Sequence, residues 1–290
     1  MSKALLICPS ERTAVAEFSQ ITPLAATPLL GESLLEYWLT HLALAGIKEV
    51  RVLASDRPEH ISKLVGDGAR WGLKVEVTPE VRELTPALAA VKYADELPAS
   101  AQNVIAVLDH FPGATDSSLF DSYANLFSGL TLWIPRAKTV NRVGMHEVRP
   151  GIWLGLHAHV SPEAQLHAPC WIGKHAYVGA HCVIGPMAIL EDRSFVEAGA
   201  EIASSIIGAD TFVGKLAALR QSFAFGNTLV NWSTGSVTRV SDAFLLCALK
   251  RQPNAKTSES FLHRLFELLF AEERPAVDPL ETINEQGRAT

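Results

Sequence analysis

Residues 160–201 decide the fold, and in six-residue units they read VSPEAQ, LHAPCW, IGKHAY, VGAHCV, IGPMAI, LEDRSF and VEAGAE. The first position of each unit is aliphatic, the second is often glycine, and the fifth is small. After one five-residue step, IASSI, the phase resumes with IGADTF, VGKLAA, LRQSFA and FGNTLV. This period is typical of a hexapeptide parallel β-helix, with aliphatic side chains inside and small ones at the corners. About twelve units predict about four coils over residues 150–240.

Strand and helix patterns alternate before these repeats, over residues 1–140. The predicted strands are ALLIC, EVRVLAS, KVEVTP and NVIAVLD, and the predicted helices are SLLEYWLTHLALAGI, PEHISKLVGDGARWG and ELTPALAAVKYADEL. Such alternation predicts an α/β domain with a mainly parallel sheet and right-handed crossovers. The segment GLTLWIPRAKTVNRVGMHEV, which precedes the coils, is interpreted as one or two further strands.

The remaining residues, 241–290, are predicted to form C-terminal helices and a frayed tail. The stretch VSDAFLLCALKRQ fits a helix with Ser241 or Asp242 as its N-cap. Residues 258–273, SESFLHRLFELLFAEE, are strongly amphipathic. We expect this helix to cap the open end of the coils or to pack between subunits, because its acidic character disfavours a membrane surface.

Composition excludes several classes of function. The formal net charge of −6 argues against a nucleic-acid partner. No apolar run approaches the length of a membrane span, and the first ten residues do not fit a signal peptide. The four cysteines, Cys8, Cys170, Cys182 and Cys247, form no paired motif and are interpreted as small buried side chains in a reducing compartment. The expected location is cytoplasmic.

Two stretches, LLGESLLEYWLTHLALAGIKEVRVLAS and VGDGARWGLKVEV, resemble segments of the sugar-nucleotide pyrophosphorylases, the NDP-sugar nucleotidyltransferases. The resemblance covers about residues 3–110, and many members of that family carry hexapeptide coils after this domain. It implies a Rossmann-like nucleotidyltransferase domain followed by a left-handed parallel β-helix. Only about 40 residues separate the fourth strand from the coils, so the sugar-binding half of the family's domain is truncated here.

The chain departs from that family in the loop that handles phosphate. Ser10 and Arg12 replace its two glycines, Ala14 replaces its arginine, and Leu24 replaces its lysine. Thr13 is retained. In the family, the glycines let backbone N–H groups approach phosphate, while the cations and Mg²⁺ neutralise its charge. The nucleotide-binding candidates in this chain are therefore Ser10, Arg12, Thr13 and Thr85, the last in a segment that contacts the base in the family.

A second candidate site follows the fourth predicted strand. By resemblance, Asp109 stands where the family has glycine and His110 where it has the aspartate that holds Mg²⁺. A shift of one residue makes Asp109 the metal candidate, and both residues are catalytic candidates because ligands bind at this end of parallel sheets. A third catalytic candidate is His175, which lies 18 residues after His157 and is expected at the same corner of the next coil.

Three hypotheses of function follow. The first is a catalytically degenerate pyrophosphorylase relative that acts by binding or assembly, with a nucleotide or nucleotide-sugar as its ligand. The second is an active nucleotidyltransferase with a rebuilt site of Arg12, Asp109 and His110, which requires Mg²⁺. The third is a hexapeptide-repeat acyltransferase with His175 as general base. Outward aromatic residues on the coils, Trp171, Tyr177, Phe195 and Phe212, favour a homotrimer.

Overall fold

A computed structural model gives the fold of residues 3–96, 103–114, 118–137 and 144–249. The chain divides into two units, Met1–Lys250 and Arg251–Thr290. The second unit lies outside the described residues. The helix predicted at 258–273 and the tail after it therefore lie outside the described residues. The domain boundaries near residues 140, 150 and 240 stay predictions.

The first part of the chain forms a four-stranded parallel sheet with helices. Its elements are β1 (Lys3–Ile7), α1 (Ala16–Ser19), β2 (Pro28–Leu29), β3 (Glu32–Ser33), α2 (Leu34–Leu44), β4 (Glu49–Ala54), α3 (Pro58–Val65), β5 (Lys74–Pro79), α4 (Pro86–Lys92), β6 (Val104–Val107) and α5 (Tyr123–Trp133). Short 3₁₀ turns lie at Thr13–Val15, Leu24–Ala26, Ala69–Trp71, Ala94–Glu96 and Ile134–Arg136. The strand order is β5-β4-β1-β6, with every pair parallel. The four predicted strands and three predicted helices are confirmed.

Helix α2 begins where the sequence encodes a strong start signal. The backbone N–H of Glu36 donates to Ser33 Oγ at 3.2 Å, and the N–H of Ser33 donates to Glu36 Oε2 at 2.8 Å. This reciprocal capping box satisfies two N–H groups that the helix leaves free. Immediately before it, β2 and β3 pair as a hairpin whose two-residue loop is Leu30–Gly31. Both loop residues have positive φ, as a type I′ turn requires.

The interpretation of residues 129–148 as one or two strands is wrong for its first part. Helix α5 extends through Trp133, and a strand, β7 (Met145–Arg149), begins only at the end of the segment. Ser122 caps the helix by accepting from the N–H of Asn125 at 3.0 Å. The quoted segment starts in the middle of this helix, which hides the helical spacing of the buried residues. Those residues are Tyr123, Leu126, Phe127 and Leu130.

The rest of the described chain is almost entirely short strands. They are β8 (Ile152–Gly155), β9 (His159–Val160), β10 (Gln165–Leu166), β11 (Cys170–Ile172), β12 (Tyr177–Val178), β13 (Val183–Ile184), β14 (Ala188–Leu190), β15 (Phe195–Val196), β16 (Glu201–Ala203), β17 (Ile206–Ile207), β18 (Thr211–Val213), β19 (Ala218–Arg220), β20 (Ser222–Phe225), β21 (Thr228–Asn231), β22 (Val237–Arg239) and β23 (Leu246–Ala248). From β8 to β20, each strand pairs in parallel with the third strand after it where a partner follows.

These ladders create three walls, which we name by their strands. The first wall is β8-β11-β14-β17-β20, the second is β9-β12-β15-β18, and the third is β10-β13-β16-β19. Tyr177 pairs with Phe195, eighteen residues later, whereas Phe195 pairs with Phe212, only seventeen residues later. The change matches the five-residue step in the sequence. The fold is thus a mixed α/β structure whose parallel sheet and many later strands are compatible with a Rossmann-like domain and a parallel β-helix.

The interior of the coils is assembled from the positions that the six-residue pattern singles out. First-position residues in this core are Ile172, Val178, Ile184, Leu190, Val196, Ile202, Ile207 and Val213, and fifth-position residues are Cys170, Ala176, Cys182, Ala188 and Ala200. All four cysteines of the chain are free thiols, and three of them are buried. The predicted inward placement of the aliphatic and small residues is confirmed.

The end of the coils differs from the prediction. The last six-residue unit does not extend the winding, because β20 turns back at Gly226 and pairs antiparallel with β21. The helix predicted from Ser241 or Asp242 is also wrong for the described residues. Asp242 starts a turn instead, and β23 then pairs antiparallel with β18. Strand β18 lies at the edge of the second wall and has unpaired backbone N–H and C=O groups, which β23 satisfies. This pairing between strands overrides the helical spacing of the local sequence.

The first wall presents a second apolar face, away from the coil interior, to the α/β layer. Trp153, Trp171, Ile189, Ile206 and Phe223 on this face belong to the same core as β1 and α2. Trp171 is only 1% exposed. Trp171 points outward from the coils as predicted, but the α/β layer of the same chain covers it. In the parts of the chain that the structure describes, no helix is long and apolar enough to cross a membrane.

A buried carboxylate joins the coils to the hairpin before α2. Glu191 follows β14, is 2% exposed, and accepts hydrogen bonds from the backbone N–H groups of Leu30 and Gly31. The Gly31 contact is 2.7 Å long. Because both loop residues have positive φ, their N–H groups point out of the hairpin towards one acceptor. The pattern of six-residue units does not reveal this contact, since Glu191 occupies an ordinary second position.

We predict that Glu191→Ala lowers the free energy of unfolding by about 2–4 kcal/mol, because each buried N–H that loses its acceptor costs about 1–3 kcal/mol. Urea denaturation followed by circular dichroism measures the change. Glu201→Ala is the matched control, since it removes an exposed carboxylate paired with Arg220 on another wall and should cost less than about 1 kcal/mol. Equal losses of stability in the two variants would contradict a stabilising contact between Glu191 and the hairpin loop.

Candidate functional site

The carboxyl edge of the parallel sheet is the place where the predicted site residues gather. In the order β5-β4-β1-β6, the chain first adds β4 and β5 on one side of β1 and then adds β6 on the other side. The topological switch point is therefore between β1 and β6. Ligands of open parallel sheets bind in the crevice at such a switch point, outside the carboxyl ends of the strands. Ser10 and Arg12 follow β1, and Asp109 and His110 follow β6, so the sequence placed both candidate pairs at this crevice.

An ion pair closes the loop after β1. Arg12 Nη1 and Nη2 donate to Glu83 Oε2 and Oε1, each at 2.7 Å, in a bidentate contact. Ser10 donates to Glu83 Oε2 twice, from its backbone N–H at 2.9 Å and from Oγ at 2.8 Å. Arg12 Nη1 also donates to Ser10 Oγ at 3.0 Å. Four donors of the loop after β1 therefore converge on the carboxylate of Glu83.

The charges of this cluster support each other. Burial tends to raise the pKa of Glu83, but hydrogen bonds from Arg12 and Ser10 outweigh it and hold that pKa below its usual value. The hydrogen bond to Glu83 raises the pKa of Arg12, and the nearby charges of Asp109 and Asp121 contribute further. The carboxylate and the guanidinium therefore both remain ionised near neutral pH. The side chains of Arg12 and Glu83 keep 30% and 21% exposure, respectively, so solvent reaches them.

Asp109 and His110 form a pair of their own beside this cluster. His110 Nδ1 lies 2.7 Å from Asp109 Oδ1. The indole N–H of Trp38 donates to the backbone oxygen of His110 at 2.8 Å, and the two rings meet edge to face at 5.4 Å. Among the described residues, no group of three or more histidine, cysteine or acidic side chains is arranged to hold a metal ion. A metal at Asp109 therefore has no assembled ligand set in this part of the chain, and that role stays a prediction.

The two threonine candidates lie apart from the hydrogen bonds to Glu83. Thr13 is exposed and begins the 3₁₀ turn Thr13–Val15. Thr85 caps α4, where its Oγ1 accepts from the N–H of Leu88 at 3.3 Å. Thr85 shares a loop with Glu83, yet it is not among the residues that contact Arg12. The structure thus brings Ser10 and Arg12 together, places Asp109 near enough to act on the charge of Arg12, and uses Thr85 as a helix cap.

His175 belongs to a different part of the molecule. Its ring stacks on that of His157 with the centroids 5.1 Å apart, which confirms their predicted placement at one corner of successive coils. Both histidines are exposed and have positive φ, near +57°. The corner conformation accounts for their position, because polar residues tolerate this backbone region better than branched apolar ones. Nothing in the structure tests His175 as a general base.

A second arginine at the same edge of the sheet is also paired. Arg57, which precedes α3, donates to both carboxylate oxygens of Asp56 at 2.8 Å. Hydrogen bonding to Asp56 raises the pKa of Arg57. The carboxylates of Asp56 and Glu83 also raise the pKa of the Cys8 thiol, although burial is the larger cause. Neither Glu83 nor Asp56 was predicted from the sequence. For Glu83 the reason is that no local pattern links a carboxylate to an arginine 71 residues away.

Comparison with known proteins gives a limited result. No protein-family model matches the chain. Over 82 residues the chain is 30% identical to a glucose-1-phosphate thymidylyltransferase of Streptomyces griseus. The aligned stretch makes up 28% of this chain and only 23% of that protein. The similarity supports a distant sugar nucleotidyltransferase relationship, and it extends over less than a quarter of the relative.

The pKa shift of Glu83 predicts how stability depends on pH. Because the pKa is depressed in the folded state, the contribution of the Arg12–Glu83 pair is complete above the unfolded value, about 4.3, and is lost as pH falls through the folded value. Arg12→Met should therefore reduce the free energy of unfolding at pH 7, and its difference from the wild type should shrink as the pH falls below about 4.3.

Urea denaturation from pH 7 to about pH 3.5 tests this dependence. Arg220→Met is the control, because it breaks the exposed pair with Glu201 and should change stability by less than about 1 kcal/mol. If the free energy of unfolding of Arg12→Met stays below that of the wild type by the same amount across this pH range, Arg12 does not lower the pKa of Glu83.

Proposed function

We propose that this chain is a sugar-nucleotide pyrophosphorylase-like protein of nucleotide-sugar or polysaccharide metabolism that has lost nucleotidyl transfer and acts by binding or assembly. The observation that carries the proposal is the capture of Ser10 and Arg12 by Glu83. In this proposal the α/β layer is a truncated nucleotidyltransferase domain, and the coils are a left-handed β-helix. The similarity to a thymidylyltransferase supports the assignment to this class.

The chemistry of the parent reaction explains why this loop matters. Nucleotidyl transfer joins a nucleotide α-phosphate to a sugar 1-phosphate and releases pyrophosphate. Catalysis rests on positioning and on neutralising phosphate charge, and removal of one preorganised donor costs about 10²–10³ in rate. In this chain the loop has lost two glycines, an arginine and a lysine, relative to the family it resembles. The donors that remain face a carboxylate instead of a phosphate.

Electrostatics at the crevice point the same way. Arg12 and Arg57 are both held by carboxylates, and Asp109 lies near enough to influence Arg12. A triphosphate brought to this edge meets several negative side chains, and the two arginines are already neutralised. Like charges without compensation raise the free energy of a bound phosphate. This balance disfavours turnover of a triphosphate at the crevice, and we propose that the chain acts by binding or assembly without nucleotidyl transfer.

The two alternatives make distinct demands. An active enzyme with a rebuilt site needs Arg12 to leave Glu83 and needs Asp109 or His110 to hold Mg²⁺. An acyltransferase needs His175 to deprotonate an acceptor beside an acyl-CoA, and His175→Ala would abolish thiol release. Neither has an observation as specific as the Ser10–Arg12–Glu83 cluster behind it.

A pyrophosphate-release assay tests the proposed function. With dTTP or UTP, glucose 1-phosphate and Mg²⁺, we expect the purified protein to release no more pyrophosphate than a blank without protein, because the phosphate donors are occupied. The double substitution Asp109→Ala/His110→Ala is the matched control for trace contamination. Saturable, Mg²⁺-dependent release that this double variant abolishes would establish the rebuilt active site and sink the proposal.

Assembly into a homotrimer through the coils is part of the same proposal. On the second wall, rings of His159, Tyr177, Phe195 and Phe212 stack in succession with centroids 4.4–5.8 Å apart. Phe212 is 1% exposed and Trp171 is committed to the α/β layer, so Tyr177 and Phe195 are the aromatic residues left partly exposed for a subunit contact.

We predict that sedimentation equilibrium gives three times the chain mass and that Phe195→Glu shifts the protein towards monomer, since a charge at an apolar contact is costly. Lys215→Glu, an exposed corner substitution, serves as the control and should leave the mass unchanged. A monomeric wild type at micromolar concentration would overturn the trimer.

A further inference from the structure

We propose that Ser10 and Arg12 form an oxyanion site that the chain fills with its own Glu83, so that a phosphate-type ligand binds only when this carboxylate is displaced. The inference rests on the proposed function, because it describes the regulation of the same loop. It assigns Glu83 as an internal ligand, a role that the sequence did not indicate. The chemical class of the external ligand is a phosphate or pyrophosphate group.

The donor set matches what an oxyanion requires. The planar guanidinium of Arg12 engages both oxygens of Glu83, and a backbone N–H and a hydroxyl from Ser10 complete the contact. Arginine forks recognise carboxylates and phosphates with the same bidentate geometry. The cluster stands just beyond β1 at the switch point of the sheet, where phosphates of bound ligands are received in this class of fold. The donors of Ser10 and Arg12 are thus arranged to bind an oxyanion, and the carboxylate of Glu83 is the oxyanion that they bind.

Glu83 reaches this position from a separate loop. It lies between β5 and α4, while Ser10 follows β1, and β4 separates these two strands in the sheet. The loop after β5 must therefore cross the end of β4, a span of about 10 Å at the usual strand spacing. Glu83 also accepts from the backbone N–H of Ser10 at 2.9 Å. A backbone N–H in such a loop is the kind of donor that binds phosphate.

The internal ligand has an advantage over external ones. A group tethered in the same chain competes at an effective concentration on the order of millimolar or higher. A free phosphate of equal intrinsic affinity displaces it only above that concentration. Both side chains retain solvent contact, with Arg12 at 30% and Glu83 at 21% exposure. A ligand can therefore reach the donors once the carboxylate moves away, and the site needs no opening of the buried core.

The test is isothermal titration of inorganic pyrophosphate and, separately, inorganic phosphate into the full chain without metal. We expect Glu83→Ala to bind pyrophosphate at least about tenfold more tightly than the wild type, because charge-assisted donors become free. Glu76→Ala is the matched control. It removes one negative charge from β5, where Glu76 is paired with Arg51, and should leave affinity unchanged.

A double variant separates a built site from a change in net charge. Arg12→Ala combined with Glu83→Ala should lose the gained affinity, since the fork is gone while the carboxylate remains absent. Thermal unfolding of every variant reports whether it is folded. If Glu83→Ala does not fold, Glu83→Gln keeps the side-chain shape, removes the charge and should still bind pyrophosphate more tightly than the wild type.

Two outcomes overturn the inference. The first is a folded Glu83→Ala that binds pyrophosphate no better than the wild type, with Glu83→Gln giving the same result. The second is a gain that persists without Arg12 or that Glu76→Ala reproduces. Neither touches the proposed loss of turnover, which the pyrophosphate-release assay on the wild type decides independently. Conversely, pyrophosphate release by the wild type would overturn the proposed loss of turnover. The titrations would still decide independently whether Glu83 occupies the oxyanion site.

Discussion

The apolar contact between the first wall of the coils and the α/β layer is the interaction on which the rest of the structure depends. The coils pack against the α/β layer through Trp171, Ile189 and Phe223, which share one apolar core with residues of β1 and α2. Full burial of each large side chain contributes about 1.5–3 kcal/mol. Phe18 of α1 extends the contact, with its ring edge to face against Phe223 at 6.2 Å. The two parts of the chain therefore fold as one structural unit.

This contact also positions the candidate site. Glu191 on the coils binds the hairpin loop that leads into α2, and α2 packs beside the sheet whose carboxyl edge carries Arg12. At that edge, Glu83 accepts four hydrogen bonds from Ser10 and Arg12 in the loop after β1. In a typical phosphate-binding loop, glycines keep the backbone free for the ligand. In the function proposed above, the carboxylate of Glu83 takes over this ordering role in a loop without glycines.

Several features could be predicted because their causes are local. The six-residue period depends only on which side chain fits inside a coil and which fits at its corner. The five-residue step was equally readable, and the shorter pairing of Phe195 with Phe212 reflects it. Helix α2 was predictable because Ser33 and Glu36 encode their own cap. Placement of Ser10 and Asp109 at one edge of the sheet followed from the alternation of strands and helices alone.

Other features depended on partners that are remote in sequence. The stretch after Asp242 has helical spacing, yet the open edge of β18 takes Leu246–Ala248 as a strand. Trp171 pointed away from the coils as expected, but only the tertiary structure decided that the α/β layer covers it. The sequence by itself thus determined the repeat, the parallel sheet and the location of the site residues, because these follow from side-chain periodicity. The tertiary structure decided that Arg12 meets Glu83 and that Glu191 meets the hairpin, because polar contacts between residues distant in sequence depend on how the loops are brought together.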